Sequence, residues 1–149
     1  MPGTDPHNSE LYQILVLARE THALWQAQNA KNSGGQTTTY AERSVLEALV
    51  RDGAQSVPGI ARARLVSRQH IQKLVDDLAG KRLIEFRPNP AHKTSPLVDV
   101  TIKGERAYTA AASREAEILN AIAPSLARKN LAPALEALRA LAEALKAPR

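Results

Sequence analysis

Four basic side chains and no acidic one occupy the segment that runs from Arg62 to Lys73. Residues 62–106 together carry a net charge of +5, which equals the net charge of the whole chain. Such clustering is the electrostatic footprint of a surface that meets nucleic acid, although a solvated helix face can have the same composition. Phosphate binding is therefore the first chemistry that the sequence indicates.

The residue types in this segment predict two kinds of DNA contact. Gln69 and Gln72 suit the edge of adenine and Lys73 the acceptors of guanine, so these three are expected to meet bases. Arg64 and Arg68 suit phosphates, which position a protein without specifying sequence. His70 is interpreted as a helix residue beside this DNA face, and the alternative for the whole set is an ordinary solvated face.

Metal binding and catalysis have little support in the sequence. His22, His70 and His92 are far apart in the chain, form no ligand-spacing motif and have no cysteine to join them, so we predict no metal site. No Gly-rich phosphate loop, nucleophile elbow or paired acid and base is present. We expect neither enzymatic activity nor a cofactor.

Three rings near the N-terminus form a second candidate site. His22, Trp25 and Tyr40 can line a pocket for a small ligand where the first predicted helix meets the second. The alternative is that these rings simply belong to a core, as aromatic residues at helical spacing often do.

The composition favours helices in a single domain. The chain has 149 residues, only five aromatic side chains, and abundant Ala and Leu. No apolar run approaches the roughly 20 residues of a membrane span, and the first ten residues have neither the basic start nor the apolar stretch that are typical of a signal sequence. We therefore expect a mainly α, cytoplasmic protein that does not enter a membrane.

Apolar spacing and caps place the helices before residue 81. Apolar residues recur every three to four positions in 9–31, and Thr39-x-x-Glu42 is a capping box that opens a second helix. A short third helix is predicted from about Val57 to Ala63, and Ser67 is a good cap for a fourth that ends near Gly80. The last two helices form a helix-turn-helix with Arg, Gln and Lys outward.

A hairpin and further helices are predicted to follow. Leu83–Arg87 and Leu97–Thr101 have the pattern of two strands, with His92 and Lys93 at the tip of the loop and Lys103-Gly104 closing the hairpin. A helix is expected from about Glu105, kinked or ended by Pro124. Leucines near a heptad spacing in 131–145 indicate a helix-packing or dimer surface.

This order of elements resembles the MarR family of winged-helix transcriptional regulators. The most specific match lies between Val57 and Tyr108, where IARARLVSRQHIQKLVDDLAGKRLIEFRPNP resembles the recognition helix with its exit and VTIKGERAY resembles the end of the hairpin. The family's wing usually carries Asp-x-Arg, whereas this chain has His92-Lys93-Thr94. Wing contacts are thus expected to be weaker, to shift to Arg87, or to depend on pH through His92.

The resemblance implies a winged helix-turn-helix protein that binds double-stranded DNA at a pseudopalindromic operator as a homodimer. It divides the chain into an N-terminal dimerisation helix (1–36), a DNA-binding lobe (37–104) and C-terminal dimerisation helices (105–149). It also implies a repressor released by a small aromatic or phenolic effector. The expected DNA-binding residues are Arg64, Arg68, Gln69, His70, Gln72, Lys73, Arg87, His92 and Lys93.

Two alternatives to this interpretation stay open. One is a winged-helix module that binds protein and no operator, for which the basic segment would be dispensable. The other is a DNA-binding regulator that has no effector and responds only to its own concentration.

Overall fold

Helices dominate the computed structural model, which describes residues 9–31 and 37–146. The elements in chain order are α1 (Glu10–Lys31), α2 (Tyr40–Asp52), β1 (Gln55–Ser56), α3 (Val57–Arg64), α4 (Arg68–Gly80), β2 (Ile84–Arg87), β3 (Leu97–Val100), α5 (Ile102–Leu126) and α6 (Ala132–Lys146). The chain forms two compact units, one up to Arg114 and one from Glu115 onward. The predicted mainly α class with a β-hairpin wing is confirmed.

One hydrophobic core lies in the first unit, where α2, α3, α4 and the hairpin each contribute one apolar face. Its fully buried side chains include Leu46 of α2, Ile60 of α3, Ile71 and Leu78 of α4, and Val98 of β3. Removal of this apolar surface from water is the main force that holds these short elements together.

Side-chain caps start the helices where the sequence predicts them. The Thr39 hydroxyl accepts a hydrogen bond from the Glu42 amide at 3.2 Å, and a Glu42 carboxylate oxygen accepts from the Thr39 amide at 2.8 Å. The Ser67 hydroxyl likewise accepts from the His70 amide at 3.1 Å at the start of α4. Both caps satisfy backbone donors that have no partner within the helix.

The hairpin belongs to a three-stranded antiparallel sheet with the order β1-β3-β2. Strand β1 is only two residues long, with Gln55 paired to Val98 and Ser56 to Leu97. This strand was not predicted from the sequence, because two polar residues show no alternation and their conformation is set by a partner strand far along the chain. The two predicted strands are confirmed with one fewer residue each.

The start of α5 corrects the sequence analysis. The helix was expected from about Glu105, with Lys103-Gly104 closing the hairpin, but it begins at Ile102. The Thr101 hydroxyl caps it, accepting from the Gly104 amide at 3.1 Å and donating to the Arg82 carbonyl at 2.9 Å. The helix ends at Leu126, two residues beyond Pro124 and close to the expected end.

Gly104 serves as a point of close approach inside the helix. A Cβ atom on this residue would overlap the Leu83 carbonyl oxygen and would lie 2.8 Å from Cγ2 of Val100. The missing side chain therefore lets the start of α5 rest directly on the chain that leads into β2.

Candidate nucleic-acid interface

Helix α4 is held against the core by one face, so the opposite face is displayed in a fixed orientation. Ile71, Leu74, Val75 and Leu78 are buried. These positions follow the i, i+3, i+4, i+7 spacing of a single helix face. The residues of α4 that were predicted to bind bases and phosphates all lie outside this buried face.

Those predicted residues of α4 are all exposed. They are Arg68, Gln69, His70, Gln72 and Lys73. Gln69 and Gln72 line one depression together with Arg68 and a second one together with His70 and Lys73. Within residues 9–31 and 37–146, neither Arg68 nor Lys73 has a carboxylate within 4.0 Å. Both charges remain available to an external anion such as phosphate.

Two other polar side chains near this surface have partners inside the chain. The Gln72 amide nitrogen donates to a carboxylate oxygen of Asp76 at 2.8 Å, one helical turn further along α4. At the end of α3, one guanidinium nitrogen of Arg64 donates to the Ser44 carbonyl at 2.8 Å, which ties α3 to α2. Arg64 thus has a structural bond in addition to its charge.

A shallow groove with a volume of about 390 Å³ runs beside the start of α4. One wall is formed by α4 and the other by the hairpin and its loop, with the beginning of α3 at the floor. Its lining residues are Val57, Pro58, Arg68, Gln69, Gln72, Phe86, Thr94, Ser95 and Pro96. The sequence analysis did not select Phe86, whose position in a strand gave no indication that it would remain 47% exposed.

In the hairpin, the side chain of Arg87 forms ion pairs with two carboxylates and stays 55% exposed. One of its terminal nitrogens lies 2.9 Å from Glu85 on the same strand, and the other lies 2.9 Å from Asp99 on β3. The pKa of Arg87 is raised above its ordinary value, first by the hydrogen bond to Glu85 and then by the charge of Asp99. The positive charge of Arg87 is therefore balanced within the hairpin itself.

The loop of the hairpin is closed by Asn89. Its amide nitrogen donates to the Ser95 carbonyl at 2.8 Å, and its amide oxygen accepts from the Ala91 backbone at 3.1 Å. His92 and Lys93, which lie between Ala91 and Ser95, are exposed. In the described part of the chain, Lys93 forms no ion pair, so it is the cation that the loop presents outward.

The predicted ligand residues lie around the contact between α1 and α2. The rings of His22 and Tyr40 meet edge to face with centroids 5.7 Å apart, and the Trp25 carbonyl accepts a hydrogen bond from the Asn29 amide at 3.0 Å. Tyr40 lines a cavity of about 350 Å³ here, whereas His22 and Trp25 are not among its lining residues.

The other residues of this cavity are mainly polar, and the sequence analysis did not identify them. They are Gln26, Asn29, Ala30, Thr37, Thr38, Thr39, Arg43 and Lys81. Arg43 is buried, donates to the side-chain oxygen of Asn29 at 3.3 Å and lies 5.6 Å above the Tyr40 ring. Lys81 donates to both carboxylate oxygens of the buried Glu42 at 2.8 and 2.7 Å. In the sequence, the charged residues within α2 were the feature that could have indicated a polar site here.

The three histidines considered for metal binding stand on separate elements: His22 on α1, His70 on α4 and His92 in the hairpin loop. Among the residues that the structure describes, no group of three or more His, Asp or Glu side chains is placed to hold a metal ion. Likewise, none of the described helices combines the length and apolar character needed to cross a membrane.

A helix-turn-helix followed by a β-hairpin, with an exposed polar and basic second helix, defines the winged-helix class of DNA-binding proteins. Comparison with known proteins specifies the family. The MarR family model matches residues 37–93. The uncharacterized protein Rv2011c of Mycobacterium tuberculosis is 38% identical over 104 residues, which cover 70% of this chain and 73% of that protein.

Solved structures agree with this match. The MarR family transcription regulator SP03579 is 25% identical, with a TM-score of 0.72 over 91% of this chain and 87% of that chain. BpsR of Bordetella bronchiseptica is 22% identical, with a TM-score of 0.68 over 90% of this chain and 99% of that chain. The chain belongs to the MarR family of transcription regulators.

Proposed function

We propose that this MarR-family protein is a homodimeric repressor that binds a pseudopalindromic operator and is released from it by a small organic ligand. The outward face of α4 is the observation that carries this proposal. It combines two cations that have no carboxylate partner in the described chain with two amides, on a helix whose other face is locked in the core. This arrangement suits insertion into a major groove.

In this proposal the two elements of the lobe have different roles. Gln69, Gln72 and Lys73 meet base edges, with His70 beside them, while Arg64 and Arg68 meet phosphates. In the wing, His92 and Lys93 approach the adjacent backbone, while Arg87 remains paired with its carboxylates. The lobe covers residues 37–104, as the family resemblance implies.

Uncovered apolar faces support the homodimer. On α1, Leu11, Leu17 and Leu24 are 55%, 59% and 68% exposed. Leu131, immediately before α6, is 55% exposed, and Leu135, Leu138 and Leu145 on α6 are 51%, 44% and 65% exposed. Their separations of four, three and seven residues are those of a heptad seam. A second copy of the chain would remove both faces from water, which agrees with dimerisation segments at 1–36 and 105–149.

The cavity beside Tyr40 supports the ligand. A volume of about 350 Å³ lies at the lower end of the range for small-molecule pockets. The fold relative BpsR has its DNA binding regulated by 6-hydroxynicotinic acid, a small aromatic acid. A ligand that releases DNA must prefer a lobe geometry that does not fit the operator.

The first experiment measures binding of the purified protein to duplex DNA from upstream of its own gene and to a scrambled duplex, at several salt concentrations. We expect a large preference for the upstream duplex and an affinity that falls steeply with salt, because phosphate contacts release counterions. Weak and equal binding of both duplexes, even at low salt, would favour the protein-interaction module instead.

Charge reversal separates DNA binding from folding. The variant Arg68→Glu/Lys73→Glu should lose DNA binding while remaining a dimer in sedimentation measurements. The variant Arg51→Glu/Arg106→Glu makes the same change in net charge on exposed positions outside α3, α4 and the hairpin, and it should retain most of the affinity. Equal losses in the two variants would count against a specific role for α4.

A thermal-shift screen tests the ligand. Phenolic acids and 6-hydroxynicotinic acid are the probes, and one that binds the native state should raise the melting temperature and weaken operator binding. Tyr40→Ala should reduce that shift. A protein that binds its operator but responds to no compound of this class would instead be the regulator without an effector.

A further inference from the structure

Gln72 presents its amide in one fixed orientation. Its nitrogen donates to an Asp76 carboxylate oxygen at 2.8 Å, and a carboxylate has only acceptors to offer. The NH₂ group must therefore be the end that faces Asp76. This leaves the amide oxygen and the second N–H of Gln72 for a partner outside the protein.

Phe86 forms an apolar wall close to this amide. It pairs with Val98 across the hairpin, yet Val98 is fully buried whereas Phe86 is 47% exposed. The ring of Phe86, the only phenylalanine of the chain, lines the groove beside α4 together with Val57, Pro58 and Gln72. One groove thus combines an oriented amide with an apolar surface.

We propose that this groove reads an adenine–thymine base pair, an inference that rests on the operator binding proposed above. In the major groove, adenine offers the N7 acceptor and the N6 amino donor, which match the free N–H and the oxygen of Gln72. Thymine offers a C5-methyl group, which matches the exposed ring of Phe86. Together these contacts specify the pair from both bases.

Asp76 acts as a positioning residue, because its hydrogen bond to the Gln72 amide makes that amide selective for adenine over guanine. Guanine presents two acceptors, O6 and N7, at the edge where adenine presents one donor and one acceptor. Opposite guanine, the Gln72 oxygen would face another acceptor, and rotation of the amide would break its bond to Asp76.

The thymine contact is tested with the full-length protein and an operator selected from random duplexes. Each thymine is replaced in turn by uracil, which lacks the methyl group, and affinity is measured for the unmodified protein and for Phe86→Ala. At one thymine in each half-site, the unmodified protein should lose about fourfold in affinity, as expected for burial of one methyl group. Phe86→Ala should bind the two duplexes equally.

The readout is the ratio of the affinities of one protein for the thymine and uracil duplexes. A general loss of affinity or stability in Phe86→Ala affects both duplexes equally and therefore cancels in this ratio. The contact is overturned if uracil has no effect at any position, or if the effect persists in Phe86→Ala. In both cases the protein still selects an operator, so the proposed function stands. Selection of no sequence at all would overturn both proposals.

The adenine contact is tested by replacing that base pair with guanine–5-methylcytosine, which keeps the methyl group on the pyrimidine. The unmodified protein should prefer adenine by about tenfold, within the usual value of a bidentate contact, and Gln72→Ala should lose this preference. Asp76→Ala should reduce the preference because the amide can then rotate. Asp77→Ala removes the same charge one position away, where the side chain is exposed, and should leave the preference unchanged; an equal effect at both aspartates would contradict the positioning role.

Discussion

Helix α4 and the hairpin wing each carry two basic and two acidic side chains, but the structure arranges their charges differently. Arg68 and Lys73 on α4 have no carboxylate partner among the described residues, whereas Arg87 in the wing lies within 2.9 Å of both Glu85 and Asp99. A cation paired inside the protein has less to gain from phosphate. The number of basic side chains in the wing therefore overstates what the wing offers to DNA.

The largest expected effect comes from crowding the contact between the start of α5 and the chain that leads from α4 into the wing. Gly104→Ala would place a Cβ against the Leu83 carbonyl, and we expect a loss of about 3 kcal/mol in the free energy of unfolding, the upper range for an overpacked site. Gly80→Ala is the control, because a Cβ there has nothing within 4 Å. It should be neutral or stabilising by about 0.5–1 kcal/mol. Urea denaturation measures both, and similar values for the two variants would show that the close approach is unimportant.

The next effect contrasts one arginine from each element. Arg68→Ala should lower operator affinity by about tenfold and reduce the slope of log affinity against log salt by about 1, as expected for one phosphate contact. Arg87→Ala should leave the slope unchanged, since its charge is already balanced. Fluorescence anisotropy titrations at several salt concentrations measure both slopes. A reduced slope in Arg87→Ala would place that arginine on the DNA backbone.

A smaller effect concerns the start of α4. Ser67→Ala removes the hydroxyl that caps the helix, and such a loss typically lowers stability by about 1 kcal/mol. Thermal unfolding followed by circular dichroism measures this change. Ser95→Ala in the wing loop is the comparison, because only its backbone carbonyl accepts the bond from Asn89. A melting temperature equal to that of the unmodified protein in Ser67→Ala would mean that the cap does not matter.

The smallest effect would come from releasing Arg87. Glu85→Gln removes one of its two carboxylate partners on an exposed strand, and operator affinity should rise by about threefold at low salt. The double variant Glu85→Gln/Arg87→Gln should lose most of this gain, because it lacks the released charge. If both variants gain equally, the effect would come from loss of the Glu85 carboxylate itself and not from release of Arg87.

Local signals in the sequence predicted most of the fold. Thr39 with Glu42 and Ser67 mark helix starts through bonds that span three residues, so the relevant partners are visible in a short stretch of sequence. The buried face of α4 follows from helical spacing alone. Strand β1 and the first turn of α5 were missed, because both depend on partners elsewhere in the chain.

The sequence by itself determined that α4 exists, where it begins, which face it buries and which polar side chains it displays. The tertiary structure alone decided that Arg87 is neutralised by Asp99, that Arg64 bonds to Ser44 twenty positions away, and that Phe86 faces the groove beside Gln72. The physical reason is the separation along the chain between the residues that interact. Helix periodicity and caps act within a few residues, whereas ion pairs and grooves depend on strand register and packing between distant segments.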